Sequence, residues 1–402
     1  MYSSAMNSAP DNPAALRTSA RRLPRVGGRC DPAFRLLGQH FVERLAEVEL
    51  GAALAVSLDG RLVVDLWGGW MDRRRQVPWR RDTLVSLFSA SKGLSALCVL
   101  QAAERGLLDL DAPLARVWPE FSGAARDAVT LRGCLDHSAG MIGFDPAADL
   151  PFEALYDWPR VVSVLAATKP WWPPGDGHGY HARTQGFLLG EALRRVCGHT
   201  LGAWLAREVA GLADLDLLLG VPPSELGRCA ELVPAALGPD PAAEALLRAM
   251  REDSLAAVAF ARPPAPRGYM NSEAFRRAEL PAMNVHGTAR ALASVYGALA
   301  LGGAPFVGSE FLAEATRPQR EGADRVLGRS TCFGLGFMLS RPALAFGTSD
   351  AAFGHPGAGG SLAFADPSRR LGFAFVVNRM EPGVLAGGSS AHALVAALEE
   401  VL

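Results

Sequence analysis

Leu87-Phe88-Ser89-Ala90-Ser91-Lys92-Gly93-Leu94-Ser95-Ala96-Leu97 is the stretch around which this chain is organised. Its spacing predicts a helix opening at or just after Ser89, with Leu94, Leu97, Cys98 and Val99 continuing an apolar face. Residues three apart share a helix face, so the Ser89 hydroxyl and the Lys92 amine can meet. A serine hydroxyl is a poor nucleophile until a neighbouring base takes its proton. Lysine can be that base once burial or nearby charge lowers its pKa; arginine never deprotonates and cannot. The distinction carries weight, because of forty Lys plus Arg only Lys92 and Lys169 are lysine. A surface lysine after a serine N-cap has the same Ser-x-x-Lys pattern, so further partners must decide.

At 402 residues and 49% apolar, the chain can bury a large core in one big or two intimate domains. A net charge of −1 without a basic stripe argues against a nucleic-acid partner. Six scattered cysteines with no Cys-x-x-Cys pair suggest reduced thiols rather than a disulfide frame or a zinc site. No apolar run of about eighteen residues is present, so no membrane partner is expected. The beginning of the chain is rich in Ser, Ala, Pro and Arg, holds Asp11 as its one acid, and lacks the apolar centre of a secretory signal. Residues 1–27 read as a disordered leader, and the expected compartment is the cytoplasm.

Phe34 to Leu50 reads as an amphipathic helix. Residues 52–58 and 61–67, around Asp59-Gly60, read as a β-hairpin, since Asp-Gly suits a two-residue primed turn. Several helical runs (152–168, 184–197, 201–210, 241–260) fill the middle, and Asn284 to Leu301 reads as a further helix. Residues 334–339, 360–365 and 371–377 are strand-like, and a helix closes the chain from Ala391. The expected fold class is α+β. One antiparallel sheet is built from both chain ends (28–115 plus 280–402) and flanked by helices, with an inserted all-helical subdomain at 116–279. A site would lie in the crevice between them.

Two loops supply candidate partners for Ser89 and Lys92. Gly175 to Ala182 is a glycine-rich loop carrying Tyr180, one of five tyrosines. A phenol beside a lysine can have a lowered pKa and pass the serine proton to a leaving group. Phe353 to Ser361, with His355-Pro356-Gly357-Ala358, lets a backbone N–H come close to a ligand. Pro356 cannot donate, so the Ala358 N–H is expected to join that of Ser89 as an oxyanion hole. Gly-x-Ser-x-Gly, phosphate-loop and dinucleotide motifs are missing. Asp176, His178 and His181 lack a third cluster to complete a metal site, so no metal is expected. His137 reads as a cap or packing residue.

With Ser89-x-x-Lys92, Tyr180-x-Ala182 and His355-Pro356-Gly357 in that order, the chain resembles the serine β-lactamase superfamily. Within it, the similarity is to class C β-lactamase-like proteins and family VIII carboxylesterases, over roughly residues 28–402. The resemblance implies a β-lactamase/transpeptidase-like fold, with Ser89 as acylated nucleophile, Lys92 as its deprotonating partner and Tyr180 as proton shuttle. Lactamases carry Asn where Ala182 stands and Lys where His355 stands. The acylation chemistry is therefore expected without the antibiotic specificity.

The expected function is a serine hydrolase of carboxylesterase type, with no cofactor. His355, Gly357, Trp171, Trp172, His181 and Phe333 are the expected substrate-binding residues, and the expected partner is a small-molecule ester or acyl donor. An acyltransferase of secondary metabolism on the same acyl-enzyme is the alternative. Amide or weak β-lactam hydrolysis, or a non-catalytic binding protein of the same fold, comes after it. A homodimer is compatible with the sequence.

Overall fold

A computed structural model of the chain describes residues 25–234, 244–245, 248–251, 253–381 and 388–402. Residues 1–24 of the expected leader lie outside them. Its last part is not a leader at all: Val26 and Gly27 begin strand β1 (Val26–Cys30). Next come α1 (Arg35–Glu47), β2 (Gly51–Leu58) and β3 (Arg61–Gly69). Asp59 and Gly60 both have positive φ, 51° and 77°, as the primed hairpin turn requires. Strand β4 (Val85–Ser86) leads through a 3-10 turn, Phe88–Ala90, into α2 (Ser91–Glu104).

The middle of the chain carries α3 (Leu131–Leu135), α4 (Trp158–Ala167), α5 (Thr184–Cys197) and α6 (Leu201–Leu205). It also holds β5 (Leu217–Leu218), so the stretch 116–279 is helical but not purely so. Of the expected 241–260 helix, residues 241–243, 246–247 and 252 lie outside the described residues; its end forms a single π-turn, Ala257–Ala261. After α7 (Glu273–Arg277) comes β6 (His286–Gly287), where a helix was expected from Asn284. The Asn284 side chain ties down the preceding turn through the Leu280 N–H and the Phe275 and Ala278 carbonyls. The helix α8 (Ala289–Ala300) starts only after the Thr288 hydroxyl has accepted the Ala291 N–H. The chain then runs through α9 (Ser309–Ala315), β7 (Arg320–Ala323), β8 (Ser330–Phe333) and β9 (Met338–Leu339). It ends with β10 (Phe353–Pro356), β11 (Leu362–Asp366), β12 (Leu371–Val377) and α10 (Ser389–Glu399).

Nine strands form one antiparallel sheet in the order β1-β3-β2-β12-β11-β10-β9-β8-β7. The seam between chain ends is β2 on β12, with Ala55 opposite Ala374. Alternation sorts the two faces. Leu54, Val56, Phe373 and Phe375 point into one core with Phe41 of α1 and Leu394 of α10. Ala53, Ala55, Ala374 and Val376 point into the other, against α2 and α8. The second face is made of small residues, which lets α8 sit directly on the backbone: a Cβ on Gly372 would stand 2.2 Å from Gly297 N. A second small sheet, β4-β6-β5, fixes the entry to α2.

Candidate active site

Two hydrogen bonds to Val285 set the position of Ser89. The Leu87 N–H donates to Val285 O at 2.9 Å, and Ser91 Oγ accepts the Val285 N–H at 3.1 Å. Between them Phe88 holds a φ of +45°, an uncommon conformation for a bulky residue and a local strain just before the serine. The helix α2 that follows is buried on every side as far as Ala103.

Lys92 is carried inward with it and is 1% exposed. Its Nζ donates to Ala182 O at 2.8 Å and to Ala282 O at 3.0 Å, and lies 3.5 Å from Ser89 Oγ. No carboxylate among the described residues pairs with it. Burial pushes its pKa well below the ordinary 10.5. A neutral amine has two N–H groups for the two carbonyls, which leaves its lone pair for Ser89.

Tyr180 is fully buried, with Lys92 Nζ 4.8 Å from its ring centre. The Phe260 and Phe333 rings lie nearly parallel to it, with centroids at 5.9 and 6.1 Å. Burial raises the phenol pKa above its ordinary value, and a bond to Ser89 offsets this only in part. The expectation of a lowered phenol pKa is therefore corrected. The same burial disfavours the charged form of Lys92, which weakens its pull toward a phenolate in the resting site. The Tyr180 hydroxyl is 3.4 Å from His355 Nε2.

The loop after β10 reaches the serine because Gly357 has no side chain. A Cβ there would lie 2.3 Å from Leu87 O. That approach brings the next N–H, that of Ala358, toward the 3-10 turn. Among the described residues neither the Ser89 nor the Ala358 N–H donates to a backbone carbonyl.

The expected substrate-binding residues fall out differently. His355 is fully buried against Tyr180, and burial, then Lys92, lowers its pKa to about 3, so it is a neutral neighbour of the phenol rather than a substrate cation. His181 is also fully buried. Its Nδ1 lies 2.8 Å from Gly179 O and its Nε2 accepts the Met141 N–H at 3.0 Å, so it ties two loops together. Phe333 is 1% exposed and backs Tyr180 and His137. Trp172 is buried under the Arg325 guanidinium, 5.3 Å from its ring. Trp171 is half-buried, its N–H on Gly140 O at 2.9 Å. Of Asp176, His178 and His181, the first pairs with Arg325 and the second with Thr331.

The sequence reading missed Asp324, Phe260 and Arg183. Asp324 Oδ1 accepts the N–H groups of Tyr180, Val326 and Leu327, anchoring the tyrosine loop to the strand β7 end. None of the three sits in a recognisable motif; only the fold brings them here. His137, with φ +66°, accepts the His181 N–H at Nδ1 and packs 4.9 Å from Tyr180.

The Beta-lactamase family model matches residues 38–397. The chain is 36% identical over 371 residues to the esterase/beta-lactamase LipL of Mycobacterium tuberculosis, covering 89% of this chain and 83% of the relative. It is similar to the crystal structure of a family VIII carboxylesterase, with a TM-score of 0.85 and 35% identity, over 94% of this chain and all of the other. A penicillin-binding protein homologue from Caulobacter crescentus superposes with a TM-score of 0.83 and 37% identity, covering 94% of this chain and 100% of that one.

Proposed function

The chain belongs to the beta-lactamase family as a serine hydrolase, and from that premise we propose that it is a carboxylesterase cleaving small esters through an acyl-enzyme on Ser89. The observation that carries this reading is the buried Lys92 amine, with two carbonyls on its N–H groups and Ser89 Oγ at 3.5 Å. Ser89 Oγ attacks the ester carbonyl carbon while its proton passes to Lys92 Nζ. The negative oxygen of the tetrahedral intermediate is received by the Ser89 and Ala358 N–H groups. The C–O bond to the alcohol then breaks. Tyr180 gives its proton to the departing alkoxide and regains one from the Lys92 ammonium. Water attacks the acyl-enzyme by the same route in reverse roles, releasing the acid and restoring Ser89.

Esters suit this site better than β-lactam antibiotics. Ala182 has no amide to meet an acylamino group, and His355 is neutral, where the lactamases place a lysine. The test is hydrolysis of p-nitrophenyl short-chain esters by the wild type, Ser89→Ala and Lys92→Ala. Turnover by the wild type alone supports the proposal. Equal background from all three proteins overturns it.

A further inference from the structure

Arg183 stands at the start of α5, one residue beyond the carbonyl that holds Lys92, and only 8% of it is exposed. Its Nη1 donates to Pro263 O at 2.6 Å, and its guanidinium lies 5.4 Å from the Phe152 ring centre. A guanidinium carries five N–H donors, so four have no protein acceptor among the described residues. No carboxylate among those residues is within ion-pair distance of it. Other arginines drawn into the fold are matched: Arg290 by Asp65, Arg132 by Asp111 and Glu314, Arg228 by Asp82, Asp216 and Glu225. Burial pulls even the Arg183 pKa down, to about 10. An unpaired buried charge is costly, so an opposite charge brought by a ligand would be strongly favoured beside it.

The position of this cation connects it to the Ser89 site. Phe260, which stacks on Tyr180, and Pro263, which accepts from Arg183, belong to one short segment. The same segment therefore covers the phenol and holds the guanidinium. Phe152 and Tyr269, with ring centroids 4.6 Å apart, add apolar walls beside it. An apolar surround with one rigid fork of N–H donors suits a carboxylate at the end of a short hydrocarbon. Resting on the esterase reading of the Ser89 site, we propose that Arg183 binds a carboxylate carried by the ester substrate, making this an esterase for hemiesters and other acid-bearing esters.

The test compares esters that differ only in charge. On the acyl side the pair is mono-4-nitrophenyl glutarate against 4-nitrophenyl butyrate. On the alcohol side it is 4-(butyryloxy)benzoate against its methyl ester. The kcat/KM ratio of acid to neutral ester is measured in the wild type, Arg183→Gln and Arg183→Lys. In at least one pair the ratio falls about tenfold or more in Arg183→Gln and recovers in part in Arg183→Lys. A ratio unchanged in both pairs, with both esters slowed together, shows that Arg183 merely pins the Pro263 segment, and overturns the proposal. Binding of the same four esters to Ser89→Ala, with and without Arg183→Gln, reads the preference without turnover. If the wild type cleaves nothing yet Arg183 governs this binding, the esterase reading fails and the anion site stands. If binding also ignores the charge, the anion site fails.

Discussion

The Tyr180 hydroxyl stands 3.4 Å from Nε2 of His355, whose Nδ1 is 2.7 Å from the Pro356 carbonyl. A carbonyl only accepts, so Nδ1 carries the imidazole proton and Nε2 is left as the acceptor. The phenol O–H then points at His355, and an oxygen lone pair is left for Ser89. This is the resting orientation; the O–H turns from His355 toward the departing alkoxide when Tyr180 gives up its proton, and a proton from the Lys92 ammonium then restores the phenol.

Removing that acceptor frees the phenol to turn. His355→Leu is expected to lower kcat by about tenfold or more with little change in KM, since the effect falls on proton transfer. His355→Gln, whose amide oxygen can still accept, keeps more activity. Steady-state kinetics on one p-nitrophenyl ester checks both.

Lys92 makes a prediction about pH and about stability. Activity needs its neutral form, so the rate falls as pH drops through the depressed Lys92 pKa, while His355, lowered to about 3, stays neutral over the ordinary assay range. Lys92→Arg loses about 10²–10⁴ in kcat and does not recover at higher pH, because arginine is never neutral. The folded lysine resists protonation and the unfolded one does not, so unfolding takes up a proton between the depressed pKa and 10.5. Lys92→Met is therefore more stable than the wild type. That advantage shrinks by about 1.4 kcal/mol per pH unit as pH rises through this window. Denaturant melts of both proteins at several pH values measure the slope.

Gly357 is set by space rather than by backbone conformation. A methyl group there would meet Leu87 O at 2.3 Å, so the loop must retreat and take the Ala358 N–H with it. Gly357→Ala is expected to lose about 10²–10³ in kcat, the usual effect of losing one oxyanion donor. It costs about 1–3 kcal/mol of stability. A kcat at the wild-type level would remove Ala358 from the oxyanion hole.

Arg290 Nε and Nη2 donate to the two oxygens of Asp65 at 2.8 and 2.9 Å, tying α8 to β3. Arg290→Leu strands a buried carboxylate and is expected to cost about 3–5 kcal/mol. Asp65→Asn with Arg290→Leu costs less than Arg290→Leu alone. Chemical denaturation of the three proteins decides it.

The hairpin was legible because Asp59-Gly60 names its turn, and β12 because 371–377 is continuously apolar. Strands β7 and β8 were not, since Arg320–Ala323 mixes charge with glycine and pairs for only four residues. The Asn284 region looked helical because its apolar spacing ran on into α8, while the side-chain bonds that hold it as a turn depend on distant carbonyls. Ser89, Lys92 and Tyr180 were readable as candidates from residue type and order, and the structure brings them together. The burial that neutralises His355, and that leaves Arg183 without a carboxylate among the described residues, was not readable, because burial belongs to the packed fold and not to either motif.

The central claim is that Ser89 becomes the acyl carrier. Protein quenched during turnover of p-nitrophenyl butyrate, then weighed intact and as peptides, tests it most directly. The account predicts a single butyryl increment on the peptide holding Ser89, present in the wild type and missing from Ser89→Ala. Ester hydrolysis with no increment under trapping conditions, or an increment on a different residue, would contradict it.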